Sequence, residues 1–143
     1  MAEFMPAMPP ECGERVQLVV PVPTTAARFR ERGYNQAALL AIAYARRTKL
    51  PCRPLLVRTG EQVTQTALQA AARGANVAGA FTVVANGRTV LRNSCVILID
   101  DVLTTGATAV ECTRVLAAAG AAGVRVVTFA RALDARRISG IEN

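Results

Sequence analysis

The chain has 143 residues, one domain's worth, and 52% of them are hydrophobic, which suffices for one packed core and argues against a disordered chain. Seventeen basic residues against ten acidic ones give a net charge of +7, and all but one of the basic residues are arginine, whose planar fork suits phosphate and carboxylate, so an anionic ligand or nucleic acid is indicated. There is no histidine, which excludes any mechanism needing an imidazole base, and Cys12, Cys52, Cys95 and Cys112 lie too far apart for a C-x-x-C zinc pair.

Residues 1–14 hold three prolines and three methionines without periodicity, and read as a loose lead-in. They lack the charged-then-apolar pattern of a signal sequence, and no apolar run is long enough to span a membrane. The expectation is a cytoplasmic protein with reduced thiols and no membrane insertion. The folded domain is expected over residues 15–134, with a frayed tail over 135–143.

Val16 to Val20 is a short strand, closed by Pro21-Val22-Pro23. From Asn35 to Lys49 the pattern predicts a helix, with Leu39, Ile42 and Ala43 on one face and Arg46 and Arg47 in the last turn, where cations suit the helix dipole. Pro51 and Pro54 break it, and Leu55-Leu56-Val57 forms a second strand. Residues 58–80 carry no long apolar run and read as an exposed helical excursion or a long loop, unusual in a compact domain unless functional. Residues 81–84 predict a strand and Asn86-Gly87 a turn.

Cys95-Val96-Ile97-Leu98-Ile99 is continuously apolar, as in a strand of a parallel sheet buried on both faces. It is predicted to end at Asp100-Asp101. An alanine-rich helix follows from about Ala107 to Ala119, stopped by Gly120, and residues 124–129 give the next strand. Strand, helix and strand with short links make a βαβ unit, so the fold class is α/β with a mostly parallel sheet flanked by helices.

Charge is unevenly placed. Between Arg28 and Ile99 lie eleven basic residues and two acids, Glu31 and Glu61, and then Asp100 and Asp101 stand side by side. From charge alone a solvated basic surface is the simpler reading. The thirteen residues VILIDDVLTTGAT, 96–108, add more. A buried strand delivers its carboxyl end to the sheet edge, where open α/β folds bind ligands. Thr104, Thr105, Gly106, Ala107 and Thr108 supply hydroxyls and backbone N–H groups at a helix start, a ready phosphate site. Carboxylates only accept hydrogen bonds, so Asp100 and Asp101 suit hydroxyls or a cation. A phosphate close to a vicinal diol fits both halves, which describes ribose 5-phosphate. Each half alone is weak: an acid pair after a strand also marks magnesium sites, and a Thr-Thr-Gly turn is often only a cap.

In this order the thirteen residues resemble the signature by which type I phosphoribosyltransferases bind phosphoribosyl pyrophosphate (PRPP). A second stretch, VVPVPTTAARFRERGYNQAALLA over residues 19–41, resembles the opening of the ComF (competence protein F, GntX-like) family of that fold. Pro21-Val22-Pro23 and Arg32-Gly33-Tyr34-Asn35-Gln36 carry the match, and Arg58, Gln65, Leu68, Arg73, Asn76 and Gly79-Ala80-Phe81 follow that family's middle pattern. The resemblance spans roughly residues 19–130. Members usually carry a cysteine-rich, zinc-ribbon-like segment before this domain, whereas only Cys12 precedes the first strand here.

The resemblance implies a phosphoribosyltransferase: PRPP would donate its 5-phosphoribosyl group to a nitrogen base or amine, releasing pyrophosphate, with Mg2+ as cofactor. Val22, Pro23 and Thr24 would form the pyrophosphate loop, helped by Arg32. Asp100 and Asp101 would hold the ribose hydroxyls and, directly or through water, the magnesium. Residues 104–108 would seat the 5-phosphate, and Arg58, Gln65, Arg73 and Asn76 would belong to a mobile loop. Arg28, Arg30 and Arg32 lie within five residues and could neutralise a diphosphate, although Arg28 and Arg30 could equally be surface residues. Asn35 could be only a helix cap, and Tyr34 only a core residue. The rival readings are a regulatory protein binding PRPP or a nucleotide without turnover, and a DNA-uptake accessory using the basic surface. Against a stacking binder of single strands, aromatic residues are 4% and tryptophan is absent. A homodimer is compatible with a small α/β domain of this kind.

Overall fold

In the computed structural model, residues 17–59, 78–103 and 106–131 are described. Three apolar segments form its centre: β1 (Gln17–Pro21), β4 (Cys95–Leu103) and β5 (Gly123–Arg131) make one parallel sheet in the order β1-β4-β5. β4 is central, with Gln17 opposite Cys95 on one side and Gly123 opposite Cys95 on the other. The stretch paired on both edges, Cys95 through Ile99, is apolar and entirely buried. The sheet is the parallel α/β architecture that the sequence predicts.

Strand periodicity sorts the core into two layers. Val96 and Leu98 join Leu18 and Val20 on one face, packed against Cys112 and Leu116 of α4 (Ala107–Ala118). Val19, Ile97 and Ile99 occupy the other face, against Ala41 and Ala45 of α2 (Gln36–Thr48). The buried stripe of α2 is therefore Ala37, Ala41 and Ala45, at i, i+4 and i+8. Leu39, Ile42 and Ala43 do share a face, as their spacing predicts, but that face is exposed. The sheet already presents branched side chains, so small residues let the helix approach it closely, and the larger ones turn outward.

The helix ends follow local chemistry. Asn35 caps α2, its Oδ1 accepting the Ala37 N–H at 3.0 Å, and Lys49 closes it in the left-handed conformation. At the end of α4, Gly120 N–H donates to Ala117 and Ala121 N–H to Leu116, the paired bonds of a glycine-terminated helix, with Gly120 at φ +111°. A short exposed helix, α1 (Ala26–Arg32), starts at Thr25, whose side chain accepts the Arg28 N–H, and stops at Gly33 with φ +76°.

Three expectations need correction. β4 does not end at Asp100-Asp101 but runs on to Leu103, because pairing with β5 continues through Asp100↔Thr128 and Val102↔Ala130. Asn86 takes the left-handed turn conformation, but Gly87 begins a one-turn helix, α3 (Gly87–Leu91), which buries Leu91 in the core. Cys95 is disulfide-bonded, so of the described cysteines only Cys52 and Cys112 carry the free thiols expected.

The remaining strands, β2 (Leu56–Arg58) and β3 (Phe81–Val83), form a separate antiparallel pair in which Arg58 faces Phe81. Thr59 N–H donates to Ala80 O at 2.6 Å and prolongs the ladder by one step. The helical or loop alternatives for residues 58–80 fall mostly on 60–77, outside the described residues, as do the lead-in 1–14 and the tail 135–143.

Candidate functional site

A cleft of about 420 Å³ opens at the carboxyl edge of the sheet. Its walls come from four parts of the chain: the turn after β1 with α1, the start of α2, the end of β2, and the β4–α4 junction. Val22 leads into the turn, its N–H bonded to Ile99 O at 2.9 Å. The Asn35 amide donates to Val22 O at 3.1 Å while its oxygen caps α2. One side chain thus ties the first turn to the helix start, and the cap role does not exclude a role in shaping the site.

Asp100 and Asp101 are consecutive on one strand, and both reach the cleft. Asp100 is buried at 9% exposure and its Oδ1 accepts the Asp101 N–H at 2.9 Å. Burial pushes its carboxyl up to about 6, and the neighbouring Asp101 adds to the rise; the Asp101 N–H and the Arg28 charge oppose it. The same face carries Cys112, whose thiol burial drives up to about 12, with Asp100 reinforcing and Arg58 countering. Cys112 is therefore a packed thiol, not a nucleophile.

Two helices of more than three turns, α2 and α4, begin at the cleft wall, through Gln36 and Ala37 and through Gly106, Thr108 and Ala109. Their positive dipole ends converge with Arg28, Arg32 and Arg58. Gly106 takes φ +84° where the chain leaves the strand for α4, a conformation that a side chain disfavours. The cleft therefore combines a cationic rim with an acidic floor.

Of the candidate residues, Asp100, Asp101, Gly106, Thr108, Val22, Thr24, Arg32 and Arg58 line this one cleft. Ala107 opens α4, and Pro23 lies between two lining residues. Thr104, Thr105, Gln65, Arg73 and Asn76 lie outside the described residues. Arg28 lines the cleft and Arg30 does not, which separates two residues the sequence left equal. Tyr34 is 43% exposed and lines the wall, so it is not a core residue. Arg58 sits on β2 rather than on an excursion, with its guanidinium 4.9 Å over the Phe81 ring.

Residues 36–139 match the family described as the phosphoribosyl transferase domain. The chain belongs to that family. It is 34% identical over 117 residues to competence protein F of Haemophilus influenzae, covering 81% of this chain and 51% of that protein. It is 33% identical over 118 residues to the DNA utilization protein YhgH of Escherichia coli K12, covering 80% and 49%. Both relatives agree with the ComF resemblance of its motifs. The chain spans about half the length of these curated relatives. A solved structure of "the allosteric regulatory enzyme of purine biosynthesis" matches with a TM-score of 0.50 and 23% identity over 81% of this chain and 22% of that one, a likeness of fold. No helix among the described residues of this phosphoribosyl transferase domain is long and apolar enough to cross a membrane.

Proposed function

We propose that the cleft binds magnesium-loaded PRPP and transfers its 5-phosphoribosyl group to a nitrogen acceptor, releasing pyrophosphate. One observation carries this reading: paired carboxylates, two helix starts and three arginines meet in a single cleft. Ribose hydroxyls donate to Asp100 and Asp101, the 5-phosphate lies at the start of α4, and the diphosphate lies along Val22–Thr24 within reach of Arg28 and Arg32. The nitrogen attacks the anomeric carbon with inversion as the bond to the pyrophosphate oxygen breaks, the pyrophosphate keeps the bonding pair, and the surplus proton passes from the nitrogen to solvent. Positive charge builds on the ring beside two carboxylates and negative charge on the leaving group beside arginines, so fixed charges favour the transition state over the ground state.

No group of three His, Cys, Asp or Glu side chains suited to a metal occurs among the described residues. Asp100 and Asp101 alone make an incomplete cage, which fits an ion that arrives with the ligand and keeps several waters. Such an ion would supply charge neutralisation of the diphosphate, with the two carboxylates as its protein contacts.

A second reading draws on the names of the relatives, competence protein F and DNA utilization protein: a PRPP- or nucleotide-binding accessory of DNA handling that does not turn over. Incubation with PRPP, magnesium and a panel of bases and amines separates the two, with free pyrophosphate as the readout. Release that depends on an acceptor supports the transferase. Binding without release across the panel supports the accessory.

A further inference from the structure

Glu111 lies on α4, outside the cleft lining, with only 7% of its surface exposed. A buried acid on the helix that starts the phosphate site calls for an explanation. Both of its oxygens are occupied: Arg114 donates Nε to Oε2 at 2.9 Å and Nη2 to Oε1 at 2.6 Å, a side-on fork. Oε1 also accepts the Gly79 N–H at 3.1 Å, from a point 32 residues away in sequence. Gly79 takes φ +74° with open space where a Cβ would stand, so the glycine serves backbone shape and not close packing.

Gly79 is in turn bound to the end of β2. Thr59 Oγ1 donates to Gly79 O at 2.8 Å, and Thr59 N–H to Ala80 O at 2.6 Å. The residue before Thr59 is Arg58, which lines the cleft and rests over Phe81. An unbroken series of contacts runs from α4 through Glu111, Gly79 and Thr59 to Arg58.

We propose that Glu111 is a positioning residue for the cleft: by holding Gly79 it fixes the β2–β3 pair against α4 and so sets where the Arg58 guanidinium meets the ligand. The inference rests on the PRPP reading for what Arg58 meets, and on contacts alone for how Arg58 is held. An ordinary i,i+3 ion pair on a helix surface does not explain the arrangement. Such pairs contribute little, and here the Arg114 side chain is 62% exposed while the Glu111 side chain is 9% exposed and turned toward Gly79. Arg114 also holds the Glu111 carboxyl down at about 2, so it stays charged at any working pH. The helix whose start lines the cleft is thereby the ruler for Arg58.

The test reads Arg58 directly in the ligand-free protein. Protons of a side chain stacked over a ring shift upfield, so the Arg58 side-chain resonances report its contact with Phe81. Glu111→Met keeps side-chain length and helix propensity but removes the strong acceptor. It should lose most of the upfield shift, as should Glu111→Ala. Glu111→Gln, whose amide oxygen still accepts from Gly79, should keep it. In titrations with magnesium and PRPP, Glu111→Met and Arg58→Ala should each weaken binding about tenfold, as loss of a charged hydrogen bond does, and the double variant should be no weaker than Arg58→Ala. An unchanged Arg58 shift in Glu111→Met and Glu111→Ala, or additive losses, overturns the proposal. Failure of the wild type to bind PRPP would instead count against the transferase reading, while the resonance comparison would still decide how Arg58 is held.

Discussion

Asp101 donates its backbone N–H to Oδ1 of Asp100 over 2.9 Å, and both carboxylates line the same cleft. Asp100 is buried and Asp101 half-buried. The buried one is costly to ionise, and the consequences are measurable.

The folded protein holds the Asp100 carboxyl at about 6 against an ordinary 3.8, chiefly through burial. An acid whose folded value is raised leaves the fold unpenalised at low pH and penalised once ionised. Wild-type stability should therefore fall as pH climbs from about 4 to about 6, by at most about 3 kcal/mol. Asp100→Asn keeps the shape and an oxygen for the Asp101 N–H without the charge. It should raise the melting temperature at pH 7 and flatten that decline, which thermal unfolding across pH measures. A lower melting temperature at pH 7 would show that the charge is already compensated within the fold.

Ligand binding should run the other way. Hydroxyls and a cation require the ionised carboxylate. PRPP affinity should rise with pH through about 6 and level off above 7, falling roughly tenfold per unit below 5 if one proton is displaced. Calorimetry at fixed ionic strength checks this, since proton uptake by the buffer appears in the heat.

Arg28 and Arg30 make a matched pair two residues apart on α1. Arg28 lines the cleft and its charge pulls the Asp100 carboxyl down; Arg30 does neither. Arg28→Ala should weaken PRPP binding by about tenfold or more, the cost of a charge-assisted contact, and move the pH profile upward. Arg30→Ala should leave both unchanged. Equal effects of the two substitutions would mean a diffuse basic field and no placed contact.

Gly106 stands at φ +84° at the head of α4. Gly106→Val should cost about 1–2 kcal/mol in strain at that residue and abolish binding of ribose 5-phosphate, because its Cβ and branches crowd the N–H groups that would meet the phosphate. Urea unfolding gives the first quantity and calorimetry the second.

Most of the sheet was legible in the sequence because Cys95 through Ile99 need apolar neighbours on every side, and few folds supply that. That Asp100, Asp101, Gly106 and Thr108 meet in one cleft was legible for a related reason: they follow an apolar strand at the edge where parallel sheets bind ligands. What stayed hidden depends on packing partners. Leu39 and Ile42 have helical spacing, yet nothing in α2 alone says that the alanine face meets Val19 and Ile97. Tyr34 reads as core until the left-handed Gly33 and the Asn35 cap turn the chain and leave its ring on the cleft wall. Glu111 could not be found from its spacing to Arg114, since its partner at Gly79 is distant in sequence.

The most direct test is calorimetric titration of PRPP into the protein, with and without magnesium, beside the Asp100→Asn/Asp101→Asn double variant. The account predicts magnesium-dependent one-to-one binding in the wild type and its loss in the folded double variant. Undiminished binding in the double variant, or no binding in the wild type at any magnesium concentration, would contradict it.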